Sequence, residues 1–238
     1  MDWTKLTDDP NNGDVKRQVL AHLLAMRRIE THRDLTAFMV DRVKGKRVLD
    51  VGIVSHAENY FAKSSWRHEH IRQSAAYCLG VDILADLIAK LKVAGYNVAA
   101  VDATSDADLG ERFDVVFIGD TIEHVDNPAA LLRFAGRHLS PGGVIFASTP
   151  NPFSRKFIKR MRRDGTALVN LDHMAWITPT MAMEIGRRAG LELSHYHLIK
   201  RDPDNPLVRG MRQLARKIVP IELSFPDFLY EFRQPERA

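Results

Sequence analysis

One cysteine, Cys78, is all that the 238 residues carry, so no intrachain disulfide can form and a reducing compartment is expected. No stretch approaches the roughly 18 continuous apolar residues that a membrane span needs. The opening Met-Asp-Trp-Thr-Lys lacks the basic-then-apolar layout of a secretory leader, and a cytoplasmic protein is the expectation. Internal repeats and low-complexity tracts are missing as well. What is there, 45% hydrophobic and 27% charged residues, excludes a disordered or fibrous chain. The length suits one large domain, or one domain with an appendage.

Charge is unevenly spread. Residues 1–150 hold 18 Lys and Arg against 20 Asp and Glu, whereas residues 151–217 hold 14 against 6. A basic block attracts phosphates or a membrane surface, although the same pattern also serves as a plain solvated helix face. Within it, Arg155–Arg163 mixes six cations with three apolar residues, as an amphipathic helix over a pocket for an anionic acceptor would. A membrane-surface helix fits the composition too. Nucleic acid is disfavoured, because no aromatic ladder is interleaved for base stacking.

Apolar residues at helical spacing from Val15 to Val43 predict one or two amphipathic helices. Short apolar runs then alternate with helical stretches. Strands are expected at Val48–Val51, Tyr77–Val81, Val98–Val101, Val115–Ile118, Val144–Ala147, Leu191–Ile199 and Phe228–Arg233. Helices are expected at Trp66–Ala76, Leu84–Ala94, Pro128–Leu139, Thr178–Ala189 and Leu207–Val219. This alternation indicates an α/β fold with a mostly parallel sheet covered on both faces. The chain divides into a helical N-terminal extension (1–44), a core (45–202), and an inserted basic helix with the last strand of the same domain (203–238).

Such sheets bind ligands at the carboxyl ends of their strands. The strand ends here are acidic: Asp50-Val51-Gly52, Gly80-Val81-Asp82-Ile83, Val101-Asp102-Ala103 and Ile118-Gly119-Asp120. Asp82 fits a carboxylate that accepts from both ribose hydroxyls, and Asp102 suits an exocyclic adenine amine. Gly52 lets backbone approach a ligand closely. Taken singly, each acid is an ordinary turn residue; four in register converge on one crevice.

Together with Phe113–Gly119 and Leu139–Gly143, these segments resemble the motif series of class I S-adenosylmethionine-dependent methyltransferases, over about residues 46 to 200. The resemblance implies a Rossmann-like seven-stranded sheet with its last strand antiparallel. It also implies S-adenosylmethionine held by Asp50, Gly52, Asp82, Ile83, Asp102, Ala103 and Gly119. One departure stands out. The family's first loop reads D-x-G-x-G-x-G, whereas this chain has Asp50-Val51-Gly52-Ile53-Val54-Ser55-His56, so the methionine end of the cofactor must meet a different backbone path. The lack of further glycines argues against a dinucleotide dehydrogenase.

Asp120-Thr121-Ile122-Glu123-His124 follows the fourth strand. On a helical turn, Asp120, Glu123 and His124 converge, and carboxylates with an imidazole suit Mg²⁺, Mn²⁺, Fe²⁺ or Zn²⁺. Asp172-His173 offers a fourth ligand. The arrangement resembles the E-x-x-E-H signature and later histidine of ubiquinone-pathway O-methyltransferases, with Asp120 in place of the first Glu. That resemblance implies metal ligation by Asp120, Glu123, His124 and His173, with His124 and His173 the candidate catalytic groups. Attack on a sulfonium methyl needs a deprotonated hydroxyl, which a divalent metal or a histidine base promotes. In metal-independent relatives the same residues cap a helix or line the pocket. The expected activity is O-methylation of a small-molecule hydroxyl, on a sugar, glycan unit or phenol, and a homodimer is the candidate assembly. An RNA ribose 2′-O-methyltransferase, a metal-independent enzyme with a histidine base and a non-catalytic cofactor-binding scaffold are the alternatives. Trp66-Arg67-His68-Glu69-His70 reads as a helix surface with Trp66 packed inward, a wall of the substrate pocket being the alternative, and His195 and His197 read as sheet surface.

Overall fold

The computed structural model describes residues 1–55, 61 and 63–235. Its sheet strands are β1 (Arg27–Glu30), β2 (Arg47–Val51), β3 (Tyr77–Asp82), β4 (Val98–Ala100), β5 (Phe113–Gly119), β6 (Leu139–Pro150), β7 (Glu192–Ile199) and β8 (Asp227–Arg233). The helices are α1 (Gly13–Met26), α2 (Leu35–Val43), α3 (Arg67–Ser74), α4 (Ala85–Val93), α5 (Pro128–Arg137), α6 (Arg155–Asp164), α7 (Pro179–Arg188) and α8 (Pro206–Ile218). Three of them begin with the same device. Asn127-Pro128, Thr178-Pro179 and Asn205-Pro206 each place a side-chain oxygen on an otherwise orphaned first-turn N–H, and a proline where no N–H is needed.

The strand order is β1-β7-β8-β6-β5-β2-β3-β4, with β8 antiparallel to both neighbours and all other pairs parallel. This is the expected Rossmann-like architecture with one strand more than the seven foreseen. The extra strand interrupts the helical run expected over 15–43: α1 stops at Met26, and Arg27–Glu30 pairs with Tyr196–Ile199. Without it β7 would present a bare hydrogen-bonding edge. α1 is no loose appendage, since Leu23 and Met26 pack in the same core as Leu49, Val116 and Leu132.

Strand parity positions the site. Leu49, Val51, Val116 and Ile118 face one layer, with α5 and α7. Val48, Cys78, Val115 and Phe117 face the other, with α2 and α3. Because side chains alternate along a strand, Asp50, Gly80, Asp82 and Gly119 lie on the α3 face. Cys78 is buried there, its thiol pKa raised by desolvation. His195 and His197 are no solvent-facing pair: His197 is buried, and Glu231, a carboxylate from β8 distant in sequence, meets its Nε2 at 3.1 Å.

At the carboxyl edge, β6 leads into α6 and β7 into α8, and neither helix buries a residue. α8 exposes Leu207, Met211, Leu214 and Ile218 while Arg216 grips the buried Asp202 through two hydrogen bonds of 2.7 and 2.8 Å. Among the described residues no helix is long and apolar enough to cross a membrane.

The amino terminus is tied to α7 through Glu184, which accepts from Trp3 Nε1 at 2.9 Å and from Arg187 and Arg188. Hydrogen bonds from Arg187 foremost hold its carboxyl at about 2, below the ordinary 4.5. A carboxyl depressed in the folded state stabilises above its ordinary value and loses that contribution as pH falls toward 2. Glu184→Gln is therefore expected to lose about 1–2 kcal/mol at pH 7, after discounting for its partly exposed partners. In urea melts at stepped pH the gap to wild type should narrow below pH 4; a gap constant from pH 7 to 3 would assign the effect to packing instead.

Candidate active site

The carboxyl ends of β2, β3, β4 and β5 open into one crevice of about 960 Å³, between β2 and β5 where the strand order reverses. Asp50, Gly52, Asp82, Ile83, Asp102, Ala103 and Gly119 all line it, so the residues expected around a nucleoside are gathered in one place. Asp82 is buried, and its carboxylate accepts from Val54 N at 2.9 Å and Leu84 N at 3.1 Å. An ionised carboxylate has about four acceptor positions, so capacity remains for ribose hydroxyls. Asp102 is exposed at the rim. Its carboxylate accepts from the hydroxyl and N–H of Thr104, which lowers its pKa and keeps it anionic. Ile83 presents an exposed apolar side chain beside them.

Gly52 carries a φ of 76° and donates its N–H to Val81 O at 2.9 Å. A Cβ there would overlap Thr121 Oγ1. The loop beyond is fixed by packing rather than by glycines. Ile53 is buried with Ile88, Leu91 and Val98, and its carbonyl accepts from Trp66 Nε1 at 2.8 Å. His56 lies outside the described residues.

Of the two readings of the segment after Trp66, helix surface or pocket wall, the second holds for Arg67 and His68, which line the crevice from the first turn of α3. His68 is 2% exposed, with Nδ1 2.7 Å from Asp50 Oδ2. Each faces a glycine. A Cβ at Gly80 would stand 2.7 Å from His68 Cε1, and one at Gly119 2.8 Å from Arg67 Nη1. No sequence spacing points to the Asp50–His68 pair; only the glycines in β3 and β5 hint that something large approaches there.

The carboxylate–imidazole cluster forms, with one change of membership. Glu123, His124 and His173 bring ligand atoms within 4.8 Å of one another. Asp120 does not join that group. Its φ of 49° is left-handed, so residues 120–124 do not run on as the helical turn on which the convergence was expected. Its carboxylate turns to Ser148 Oγ at 2.8 Å and Arg67 Nη2 at 3.0 Å.

Glu123 is 1% exposed, and neither carboxylate oxygen has a hydrogen-bond partner. Desolvation, aided by the Asp120 and Asp227 carboxylates and opposed by its own backbone N–H and the Thr149 hydroxyl, which lie near but outside good hydrogen-bond geometry, pushes its pKa up to about 8. Asp227, absent from the sequence expectations, is raised to about 6, first by burial and then by Asp120. His124 Nδ1 lies 3.0 Å from Asp172 Oδ2, and its ring stands edge-on to His173 with centroids 4.5 Å apart. Burial, then the His124 charge, lowers the His173 pKa and favours neutral imidazole. The loop carrying His173 is docked by Met174 N and Ala175 N, which donate to Glu123 O. Beside the cluster a smaller cavity of about 160 Å³ is lined by Glu123, Thr149, Phe157, Arg160, His173 and Trp176.

Unpartnered buried oxygens on Glu123 next to two imidazoles suit a divalent cation, with Asp172 orienting His124 from behind. The crevice, with its ring of carboxylates and an apolar flank, suits an adenosine.

A family model described as a methyltransferase domain matches residues 24–196. The ubiquinone biosynthesis O-methyltransferase of Methylococcus capsulatus is 26% identical over 97% of this chain and 90% of its own length. The enzyme of that name from Neisseria meningitidis is 29% identical, covering 73% of this chain and 74% of its own. In three dimensions, an S-adenosylmethionine-dependent methyltransferase from Mesorhizobium loti covers 84% of this chain and 95% of its own with a TM-score of 0.52, a likeness of fold at 20% identity.

Gly52→Ala should cost about 1–3 kcal/mol, because a left-handed residue gains a Cβ that Thr121 must make way for. Thermal unfolding reads this as a drop of several degrees; an unchanged midpoint would show that the turn has room to spare.

Proposed function

This chain belongs to the class I S-adenosylmethionine-dependent methyltransferases, and on that premise we propose that it methylates a hydroxyl oxygen of a small molecule, a phenol or a saccharide unit, with a divalent metal at Glu123, His124 and His173. The observation that carries the proposal is the buried, unpartnered carboxylate of Glu123 facing two imidazoles beside the crevice. A bound divalent ion would lower the pKa of a hydroxyl at this point, as it does for water. Two imidazoles and one carboxylate favour a borderline ion such as Zn²⁺, Mn²⁺ or Fe²⁺ over the all-oxygen preference of Mg²⁺. Asp120 is better read as the holder of Arg67 than as a ligand.

The chain's own groups divide the work. Asp82 and Asp102 hold the nucleoside, with Ile83 against its base and Gly52 allowing close approach. As a metal ligand His173 has no lone pair left for a proton; in the metal-free alternative its neutral imidazole would take the hydroxyl proton instead, a contribution of about 10²–10⁴-fold in such catalysis. The remaining task is holding oxygen, methyl and sulfur in line. The smaller cavity has aromatic walls, Phe157 edge-on to Trp176 at 5.1 Å, which suit a planar ring. Arg160 at its rim accommodates an anionic substituent.

Glu123→Ala and His173→Ala should each reduce turnover by about 100-fold or more. Calorimetry with S-adenosylhomocysteine should show affinity within a few-fold of wild type. Chelation should abolish activity, and one of the three transition ions should restore it. Activity that survives chelation undiminished removes the metal and leaves the histidine base; loss of S-adenosylhomocysteine binding in either variant moves the cluster into the cofactor site.

A further inference from the structure

In a glycine-rich first loop, free backbone N–H groups face the ligand. Among the described residues of this loop two such groups are committed elsewhere: Val54 N donates to Asp82 Oδ2 and Gly52 N to Val81 O, while the Ile53 carbonyl accepts from Trp66 Nε1. The space above Gly80 and Gly119 is filled by the first turn of α3, which brings Arg67 and His68 into the crevice wall. His68 Nε2 is buried and has no hydrogen-bond partner, and a buried polar atom without a partner is costly to keep. The guanidinium of Arg67 lies over the Phe117 ring, 5.4 Å from its centroid, and is held by Asp120 at 3.0 Å.

We infer that this chain reads the amino-acid end of its cofactor with the side chains of His68 and Arg67 rather than with loop backbone, an inference that rests on the cofactor reading above. The charges match in order. Asp50 accepts from Nδ1–H of His68, which fixes the tautomer and leaves Nε2 as an acceptor for the α-ammonium. Arg67 supplies a planar cation whose fork of donors suits the α-carboxylate. Asp50, which the motif resemblance makes a direct cofactor contact, acts here through His68 as a positioning residue. Asp120 does the same for Arg67.

The test compares two ligands with a common adenosine and thioether: S-adenosylhomocysteine, which has the amino-acid end, and 5′-methylthioadenosine, which lacks it. Calorimetry is run on wild type, Arg67→Met and His68→Asn; the asparagine amide keeps a donor for Asp50 while deleting Nε2. Each variant should bind S-adenosylhomocysteine about tenfold or more weakly, as expected for losing a hydrogen bond to a charged group. Binding of 5′-methylthioadenosine should stay within about twofold, and so reports that the variant is folded. Equal losses for both ligands, or no loss for either, would overturn the inference. Failure of wild type to bind either ligand would instead overturn the cofactor reading itself.

Discussion

Two backbone amides, from Val54 and Leu84, converge on the buried carboxylate of Asp82. These bonds tie the loop after β2 to the start of α4 and hold the floor of the crevice in shape. A buried carboxylate is tolerated only when hydrogen-bonded, so loop, strand end and helix start are mutually dependent. The loop in turn carries Ile53, whose packing against Trp66 sets the approach of α3. Everything that lines the crevice on that face follows: Trp66 seats the first turn, His68 meets Asp50, and Arg67 reaches Asp120. A single acid at a strand end thus links the β3 end of the crevice to the wall built from α3 and the loop after β5.

Around Glu123 the same physics acts in the opposite direction. There a carboxylate is buried with no well-formed hydrogen bond, beside two further acids and two imidazoles, so its protonated form is favoured until a cation compensates. Low local polarity makes the arrangement sensitive to what enters it. An ion of suitable charge would be drawn in strongly, and in its absence the proton is retained well above the ordinary carboxyl range. The site is poised because the protein leaves its electrostatics unfinished.

Most of this architecture was legible in the residues. Seven strands, the parallel arrangement and the acidic strand ends follow from period and turn chemistry, because parallel strands buried on both faces leave continuous apolar runs. β1 was hidden, since Arg27–Glu30 has a strand's geometry only by leaning on β7, a partner remote in sequence. Asp120 was misjudged by a local rule: spacing of three and four brings side chains together only on a helix, and one left-handed residue cancels it. The sequence left His68 between helix surface and pocket wall, because its burial depends on Gly80 having no side chain, and pairing across a sheet is invisible in a linear reading. The Glu123–His124–His173 association survived, because 123 and 124 are adjacent and the second loop is docked by backbone bonds to Glu123 itself.

The position of β1 also has a consequence for how the chain matures. Its pairing partner is Tyr196–Ile199, so a polypeptide emerging from the ribosome exposes Arg27–Glu30 long before its neighbour has been synthesised. The pairings among β2, β3 and β5 span shorter stretches of chain than this one, and the cost of closing a loop grows with its length. Arg27–Glu30 therefore has no pairing partner until residues 196–199 have been made, and the β7 edge that it covers is completed only by joining the two ends of the domain.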